Sequence, residues 1–305
     1  MSTRRKKNKK LLSAIVTALF IFCLVLYYFP NTFEFISSLF EDPRSVTTTD
    51  GELSVHFLDV GQGDCTLIID PSGQTMLIDT SVSDQADNII EYLNIYGIKK
   101  LDHLVLTHPD SDHIGAASKI LKTVGANTVY MTDIVHTTKT FENLINTISD
   151  LDIPLVVPKL NDKINLGNAV VTVLGPVSKT DDLNEMSLVL RLDYGETSFM
   201  FTGDAGIKSE KEMLEYHRIN EFRADVLKLG HHGSSTSSSK DFIDAVNAQY
   251  AVVSCGKDNS YGHPHKEVIT DMNNRNIKLY RTDTDGNIIF STDGKLIKLL
   301  RPVID

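Results

Sequence analysis

Four side chains able to bind a metal fall within six residues at His108-Pro109-Asp110-Ser111-Asp112-His113. The segment follows the apolar stretch His103–Thr107, which reads as a strand, and precedes a helical pattern over 114–122. Imidazole suits zinc, manganese, iron and nickel, while carboxylates pull the preference toward harder ions such as Mn²⁺. A short loop can aim His108 and Asp110 to one side and Asp112 and His113 to the other, so that two adjacent ions are served. The competing reading is a polar surface loop with accidental histidines. Four ligand types packed so closely, directly after a buried-looking strand, argue against it.

Other ligand types also stand at the ends of apolar strands. Leu77-Ile78 leads into Asp79, Phe201-Thr202-Gly203 into Asp204, and Leu227-Lys228-Leu229-Gly230 into His231-His232-Gly233-Ser234. Ser254-Cys255-Gly256 leads into Tyr261-Gly262-His263-Pro264-His265. A lone aspartate at a strand end is ordinarily a turn or helix cap. Together these clusters form the pattern of strand ends converging on one site. The catalytic carboxylates are then Asp79, Asp112 and Asp204. Asp204 is placed to bridge two metals, and Asp79 to orient a ligand histidine from behind.

The rest of the chain gives this site a frame. Short apolar runs with strand character (54–58, 65–69, 75–78, 127–131, 155–157, 169–174, 187–192, 198–202) alternate with helical spacing at 84–96, 140–150 and 208–217. The last third repeats the alternation: strands at 225–229, 250–254, 278–281, 287–291 and 296–300, and helices at 240–246 and 266–274. The rhythm is not uniformly strand–helix, which suggests two sheets sandwiched between helices rather than one doubly wound sheet.

Charge is unevenly placed. Residues 1–30 hold six basic residues (Arg4, Arg5, Lys6, Lys7, Lys9, Lys10) and no acid, so the remainder sets 24 basic against 40 acidic residues, a net of −16. Such a body argues against a broad nucleic-acid-coating surface, though not against a nuclease that meets its substrate at a metal site. The basic start precedes Leu11–Phe29, a run of 19 residues without charge. That length crosses a bilayer core as a helix, and the cations hold the N-terminus in the cytoplasm. The expected plan is a cytoplasmic tail (1–10), a transmembrane signal anchor (11–29), a linker (30–50) and a hydrolase domain (51–305) outside the cell membrane. The rival is a cleaved signal peptide, for which no small-residue cleavage site is evident. Cys65 and Cys255 read as two buried thiols, and the absence of Cys-x-x-Cys excludes a thiolate zinc knuckle.

His108-x-Asp110-x-Asp112-His113 resembles the His-x-His-x-Asp-His signature of the metallo-β-lactamase superfamily, with Asp79, Asp204 and a later histidine matching its other motifs. Phe57-Leu-Asp-Val-Gly-Gln-Gly-Asp64, Asn184-Glu-x-Ser-Leu-Val-Leu190, Thr202-Gly-Asp204, His231-His-Gly-Ser234 and Asn259-x-Tyr-Gly-His-Pro264 are, in order, similar to the hydrolase domain of the ComEC competence family. The resemblance implies an α/β fold, the αββα sandwich of the metallo-β-lactamase type, here preceded by one transmembrane helix. It also implies two divalent ions, Mn²⁺ or Zn²⁺, held among His108, Asp110, Asp112, His113, Asp204, His231, His232 and His263. Asn184, Ser234 and Asp64 are further candidates for metal or substrate contact. Two departures matter: Asp110 replaces the superfamily's second histidine, and no third-motif histidine exists, Asn184 lying near its place.

The remaining motif residues have plainer readings. Asn184 can be a turn residue, one of His231 and His232 is expected to face the site, and His265 to cap the following helix. Ser234–Ser239 reads as a solvated loop leading into a helix, and Gly61, Gly63 and Gly203 as tight turns. His103, His136 and His217 read as surface or structural. The expected function is a metal-dependent phosphodiesterase or nuclease acting through a metal-activated water, with nucleic acid or another phosphodiester as partner. The alternatives are hydrolysis of small esters, lactones or β-lactams on the same fold, and a non-catalytic binding protein.

Overall fold

The segments 197–201 and 226–228 are buried along their whole length, which is why their apolar residues stand consecutively rather than in alternation: a sheet covered on both faces has no solvent side. The computed structural model describes residues 51–300, and the expected tail, span and linker lie outside the described residues. Among the described residues, no helix is long and apolar enough to cross a membrane.

The chain begins with β1 (Leu53–Phe57), β2 (Thr66–Ile69), β3 (Thr75–Ile78), β4 (Leu101–Leu106), β5 (Ala126–Met131) and β6 (Leu155–Val156). It continues through β7 (Lys163–Leu166), β8 (Ala169–Gly175), β9 (Val189–Tyr194), β10 (Thr197–Phe201), β11 (Val226–Lys228), β12 (Tyr250–Val253) and β13 (Lys278–Arg281), and ends on β14 (Ile288–Thr292) and β15 (Ile297–Leu300). One sheet runs β15-β14-β1-β2-β3-β4-β5-β6 and the other β13-β12-β11-β10-β9-β8-β7. Each has an antiparallel half and a parallel half, the latter β3 to β6 in the first sheet and β10 to β13 in the second. Parallel neighbours end on the same edge, so residues following β3, β4, β10 and β11 meet there.

The helices are α1 (Ala86–Ile95), α2 (Ser111–Ile114), α3 (Ala117–Thr123), α4 (Lys139–Asp150), α5 (Ile207–Tyr216), α6 (Lys240–Val246), α7 (Lys266–Asn274) and α8 (Thr282–Asp285). Successive strand side chains point to opposite faces, and the core divides accordingly. Phe199 and Phe201 of β10 meet Val55, Phe57, Val105 and Phe290 between the sheets. Met200, between them in sequence, packs outward with Phe242, Val246 and Met272 of α6 and α7. Leu104 and Leu106 pack outward with Ile89, Leu93, Ile120 and Leu144 of α1, α3 and α4. Helices therefore cover both outer faces, and the expected αββα sandwich is present.

Two departures from the sequence reading have local causes. The helix expected over 114–122 is broken: α2 begins at Ser111, so Asp112 and His113 sit on a helical turn, and α3 starts only at Ala117. The backbone of 82–83 presses against Gly115 between them, where a Cβ would lie 2.4 Å from the Ser111 carbonyl oxygen and 2.6 Å from the Ser83 nitrogen. β7 was unread because its four residues alternate exposed Lys163 and Asn165 with buried Ile164 and Leu166, a pattern too short to separate from loop.

The inter-sheet layer depends on Phe290, fully buried and in edge or tilted contact with Phe57, Phe199, Tyr250 and Tyr280 at 5.4–6.4 Å between ring centroids. Truncating it opens a cavity between two rigid sheets that cannot collapse. Phe290→Ala should cost about 3–5 kcal/mol, read as a lower urea midpoint with unchanged slope; a loss below about 1 kcal/mol would show that this layer is not the main stabilising contact.

Candidate metal centre

The carboxylate of Asp204 is 3% exposed and faces four imidazoles. Its Oδ1 lies 3.3 Å from His113 Nε2, and its Oδ2 lies 3.8, 3.8 and 3.7 Å from the Nε2 atoms of His108, His231 and His232. Asp204 follows β10 through Gly203, whose φ of +51° and close approach to the Thr107 side chain leave no room for a Cβ. Its own N–H donates to Ser187 Oγ at 3.1 Å.

Each imidazole is turned by a partner on its other nitrogen. His113 Nδ1 donates to Asp79 Oδ2 at 2.8 Å. Asp79 also accepts from the Thr107 N–H and hydroxyl, at 2.8 and 2.7 Å. Because that hydroxyl donates to Asp79, it accepts from His108 Nδ1, 3.2 Å away. His232 Nδ1 donates to the Ser254 carbonyl at 3.0 Å, and His231 Nδ1 pairs with Thr236 Oγ1 at 3.1 Å. Fixing Nδ1–H turns the Nε2 edge of each ring toward the site. The backbone is bent to do this: Asp79, His231 and His232 have φ of +59°, +47° and +54°, the sparsely populated left-handed region. Consecutive left-handed residues at 231 and 232 bring both rings to Asp204, where only one was expected.

Two further carboxylates flank the group. Asp110 Oδ2 is 3.6 Å from His108 Nε2, and Asp112 Oδ2 is 3.2 Å from His232 Nε2. Gly63 permits this packing, since a Cβ there would lie 2.5 Å from the Asp112 carbonyl and 2.6 Å from Ser81 Oγ.

The arrangement fits a divalent cation. His108 Nε2, His113 Nε2 and Asp204 Oδ1 are buried and have no hydrogen-bond partner. His113 Nε2 and Asp204 Oδ1 face each other at 3.3 Å without hydrogen-bond geometry. Buried polar atoms left unpaired are costly, and a shared cation removes the cost for several at once. Ligand atoms of Asp64, His113, Asp204 and His232 all lie within 4.8 Å of one another and could hold an ion. Asp64, however, approaches His232 from the Nδ1 side at 3.2 Å, and its other oxygen pairs with Lys228 Nζ at 2.9 Å. It stands behind His232 as Asp79 stands behind His113.

Protonation balances the charge. Burial would raise Asp204, but His113, His232 and His108 outweigh it and hold the carboxyl well below its usual range. Burial would lower His113, yet Asp204 and Asp79 push it well above the usual imidazole value. Against the same opposition from burial, Asp204, Asp64 and Asp112 raise His232 to about 10. His231 is lowered by burial, with neighbouring histidines adding to it.

Other predicted residues lie beside the cluster. His263 is buried, its ring 5.6 Å from His231 and 6.3 Å from His232, and it makes no ion pair. Burial and the surrounding histidines lower it to about 4. Asn184 has its N–H on Asp182 Oδ1, and its side chain makes no hydrogen bond to the cluster. Ser187 and Glu185 of the same motif do the positioning: Glu185 accepts the Ser209 N–H at 2.7 Å at the start of α5. The loop 234–239 leads into α6 as expected but is solvated only in part, with Ser235 and Thr236 exposed. Ser234 and Ser237 are buried, the Ser234 hydroxyl is bonded to Thr236, and Glu210 accepts the amides of Ser238 and Ser239. His265 stands at the N-cap of α7, as expected, but its side chain makes no capping bond and accepts the Ser235 N–H at 2.9 Å instead. Cys65 and Cys255 are free and buried, as read. Lys228, 2% exposed in an apolar strand, carried a signal that the sequence reading passed over: a buried lysine requires an acid.

Comparison with known proteins agrees with this architecture. The Metallo-beta-lactamase superfamily profile matches residues 58–257. ComE operon protein 3 of Bacillus subtilis is 31% identical over 261 residues, covering 79% of this chain and 33% of that protein. Competence protein ComA of Neisseria gonorrhoeae is 31% identical over 250 residues, covering 81% of this chain and 33% of that protein. The chain thus spans about a third of the length of these relatives. Among solved structures, the metallo hydrolase Igni18 of Ignicoccus hospitalis superposes with a TM-score of 0.52 at 14% identity, covering 78% of this chain and 98% of that one, a likeness of fold. With a profile match over most of its length and the strand-end aspartates and histidines gathered on one sheet edge, the chain belongs to the metallo-β-lactamase superfamily and is similar there to the competence proteins.

Proposed function

We propose that the chain is a metal-dependent phosphodiesterase, a nuclease acting on DNA or RNA outside the cell membrane to which residues 11–29 anchor it. The observation that carries this reading is the pair of buried, unpartnered Nε2 atoms of His108 and His113 beside one buried carboxylate, with the Nε2 atoms of His231 and His232 facing the same group. Relatives named for competence and recombination support nucleic acid as the substrate.

In this reading His108, Asp110 and His231 would hold one divalent ion and Asp112, His113 and His232 a second, with Asp204 available to both. When bound, such ions supply Lewis acidity, making hydroxide available near neutral pH and neutralising charge on the scissile oxygens. The protein's own part is positioning. Asp79 fixes the tautomer of His113 and the Ser254 carbonyl that of His232, with Asp64 adding its charge beside the His232 ring; Thr107 fixes His108, and Ser187 fixes Asp204. His263 makes no ion pair with the cluster's carboxylates, and burial with the surrounding histidines lowers it, which suits its ring to contact with substrate. The cluster offers no serine or cysteine nucleophile: Ser234 is bonded within its loop, and burial raises both Cys65 and Cys255. The alternative substrates are esters, lactones and β-lactams, which a chromogenic panel separates from bis-p-nitrophenyl phosphate.

Asp204→Ala should abolish metal-dependent turnover and lower bound metal while leaving circular dichroism unchanged; turnover with full metal content would sink the central role of Asp204. Three carboxylates beside the imidazoles favour a hard ion, so Mn²⁺ should restore a chelated protein better than Zn²⁺, although zinc binds more tightly to most ligand sets and can inhibit. Asp110→His should move the preference toward zinc, and an unmoved preference would remove Asp110 from the ligand set. Protease added to intact cells should remove the domain, whereas digestion only after lysis would reverse the topology.

A further inference from the structure

An exposed aromatic ring stands at the rim of the histidine cluster. Tyr261 is 64% exposed, and its ring stacks on His263 with 5.6 Å between centroids and 22° between planes. His263 in turn lies 5.6 Å from His231, whose Nε2 faces Asp204. The Tyr261 segment follows β12, the neighbour of β11, and so flanks the edge where the cluster sits. Its loop is held on both sides. The Asn259 side chain accepts the His263 N–H at 3.0 Å and donates to the carbonyls of His263 and Gly256 at 2.6 and 2.8 Å. His265 Nε2 pairs with the Tyr261 carbonyl at 3.3 Å. One face of the tyrosine is thus covered by imidazole and the other is open, on a loop that does not need to order itself on binding.

We infer that Tyr261 is a stacking subsite for an unpaired nucleobase next to the scissile phosphodiester, so that the substrate is single-stranded nucleic acid. This rests on the phosphodiesterase reading above. Stacking needs a base whose face is free, which duplex neighbours deny, and it depends little on charge or sequence. That suits this chain, whose body beyond residue 30 carries a net −16 and cannot draw a strand in by phosphate attraction alone. His263 backs the tyrosine as the second plate of the stack, which gives the buried histidine beside the cluster a role without a carboxylate partner.

The test is a double-mutant cycle between protein and substrate. The full chain with Mn²⁺ is assayed on a single-stranded DNA oligonucleotide and on versions carrying one abasic residue at successive positions around the cleavage point. For the wild type, one abasic position should raise KM about tenfold. Tyr261→Ala should have the same, raised KM on the abasic and the intact oligonucleotides, so that the abasic effect vanishes, while Tyr261→Phe, which keeps the ring, should retain it. An abasic penalty of equal size in Tyr261→Ala, or none at any position in the wild type, overturns the subsite and leaves the nuclease reading standing. Hydrolysis of bis-p-nitrophenyl phosphate with no cleavage of any oligonucleotide overturns the subsite and the nuclease reading together, and inactivity on both substrates removes the phosphodiesterase reading as well.

Discussion

A carboxylate buried among imidazoles is the constraint around which the edge of this sandwich is organised. Asp204 is costly to bury charged unless cations or protons surround it, and the fold supplies four imidazoles from two sheets. Those rings follow β4 and β11 and the α2 turn, while Asp204 follows β10. The site therefore exists only when both sheets have formed and packed, and the Phe57, Phe199, Phe201 and Phe290 layer that joins them also sets the distance between ligands.

Much of this was legible in the chain. Apolar runs ending in aspartate or histidine named Asp79, His108, Asp204, His231 and His232 because a strand end is a local feature. The sandwich followed from an irregular strand–helix rhythm. What stayed hidden depends on contacts between residues that are not neighbours in sequence. The break at Gly115 comes from the backbone of Ser83, the inward turn of Ser237 from the Gly230 carbonyl, and the orientation of His265 from Ser235. The chain near Asn184 was read for a ligand, whereas the residues that bind Asp204 and α5 from it are Ser187 and Glu185. A motif residue's type announces chemistry; which member of the motif faces the site depends on the turn it adopts.

The strained residues show where folding free energy is diverted to the site. Asp79, His231 and His232 all adopt left-handed backbone without being glycine, each at a cost on the order of 1 kcal/mol or more. Asp79 offsets its cost with three hydrogen bonds, to the Thr107 amide, the Thr107 hydroxyl and His113. His231 and His232 have fewer bonds of their own, but the short left-handed turn is what lets adjacent residues present rings to the same carboxylate. A regular strand would send them to opposite faces.

Lys228 shows how the second sheet anchors its half of the site. Within β11 Val226 faces the inter-sheet layer and Leu227 the outer helices, so Lys228 returns to the inner face at the strand's end, between the sheets. There it meets Asp64, which follows β1 in the other sheet, and donates to the Leu229 carbonyl as well. A buried lysine alone would be strongly destabilising, and a buried aspartate likewise. Paired, they cross from one sheet to the other and leave Asp64 Oδ1 against His232. Asp79 gives its charge to His113 with only Thr107 sharing it, whereas Asp64 divides its charge between Lys228 and His232. Each histidine thus has a carboxylate behind its Nδ1, hydrogen-bonded to His113 within its own sheet and acting on His232 by charge alone across the sandwich. The second makes the geometry of the cluster answer directly to how the two sheets are docked.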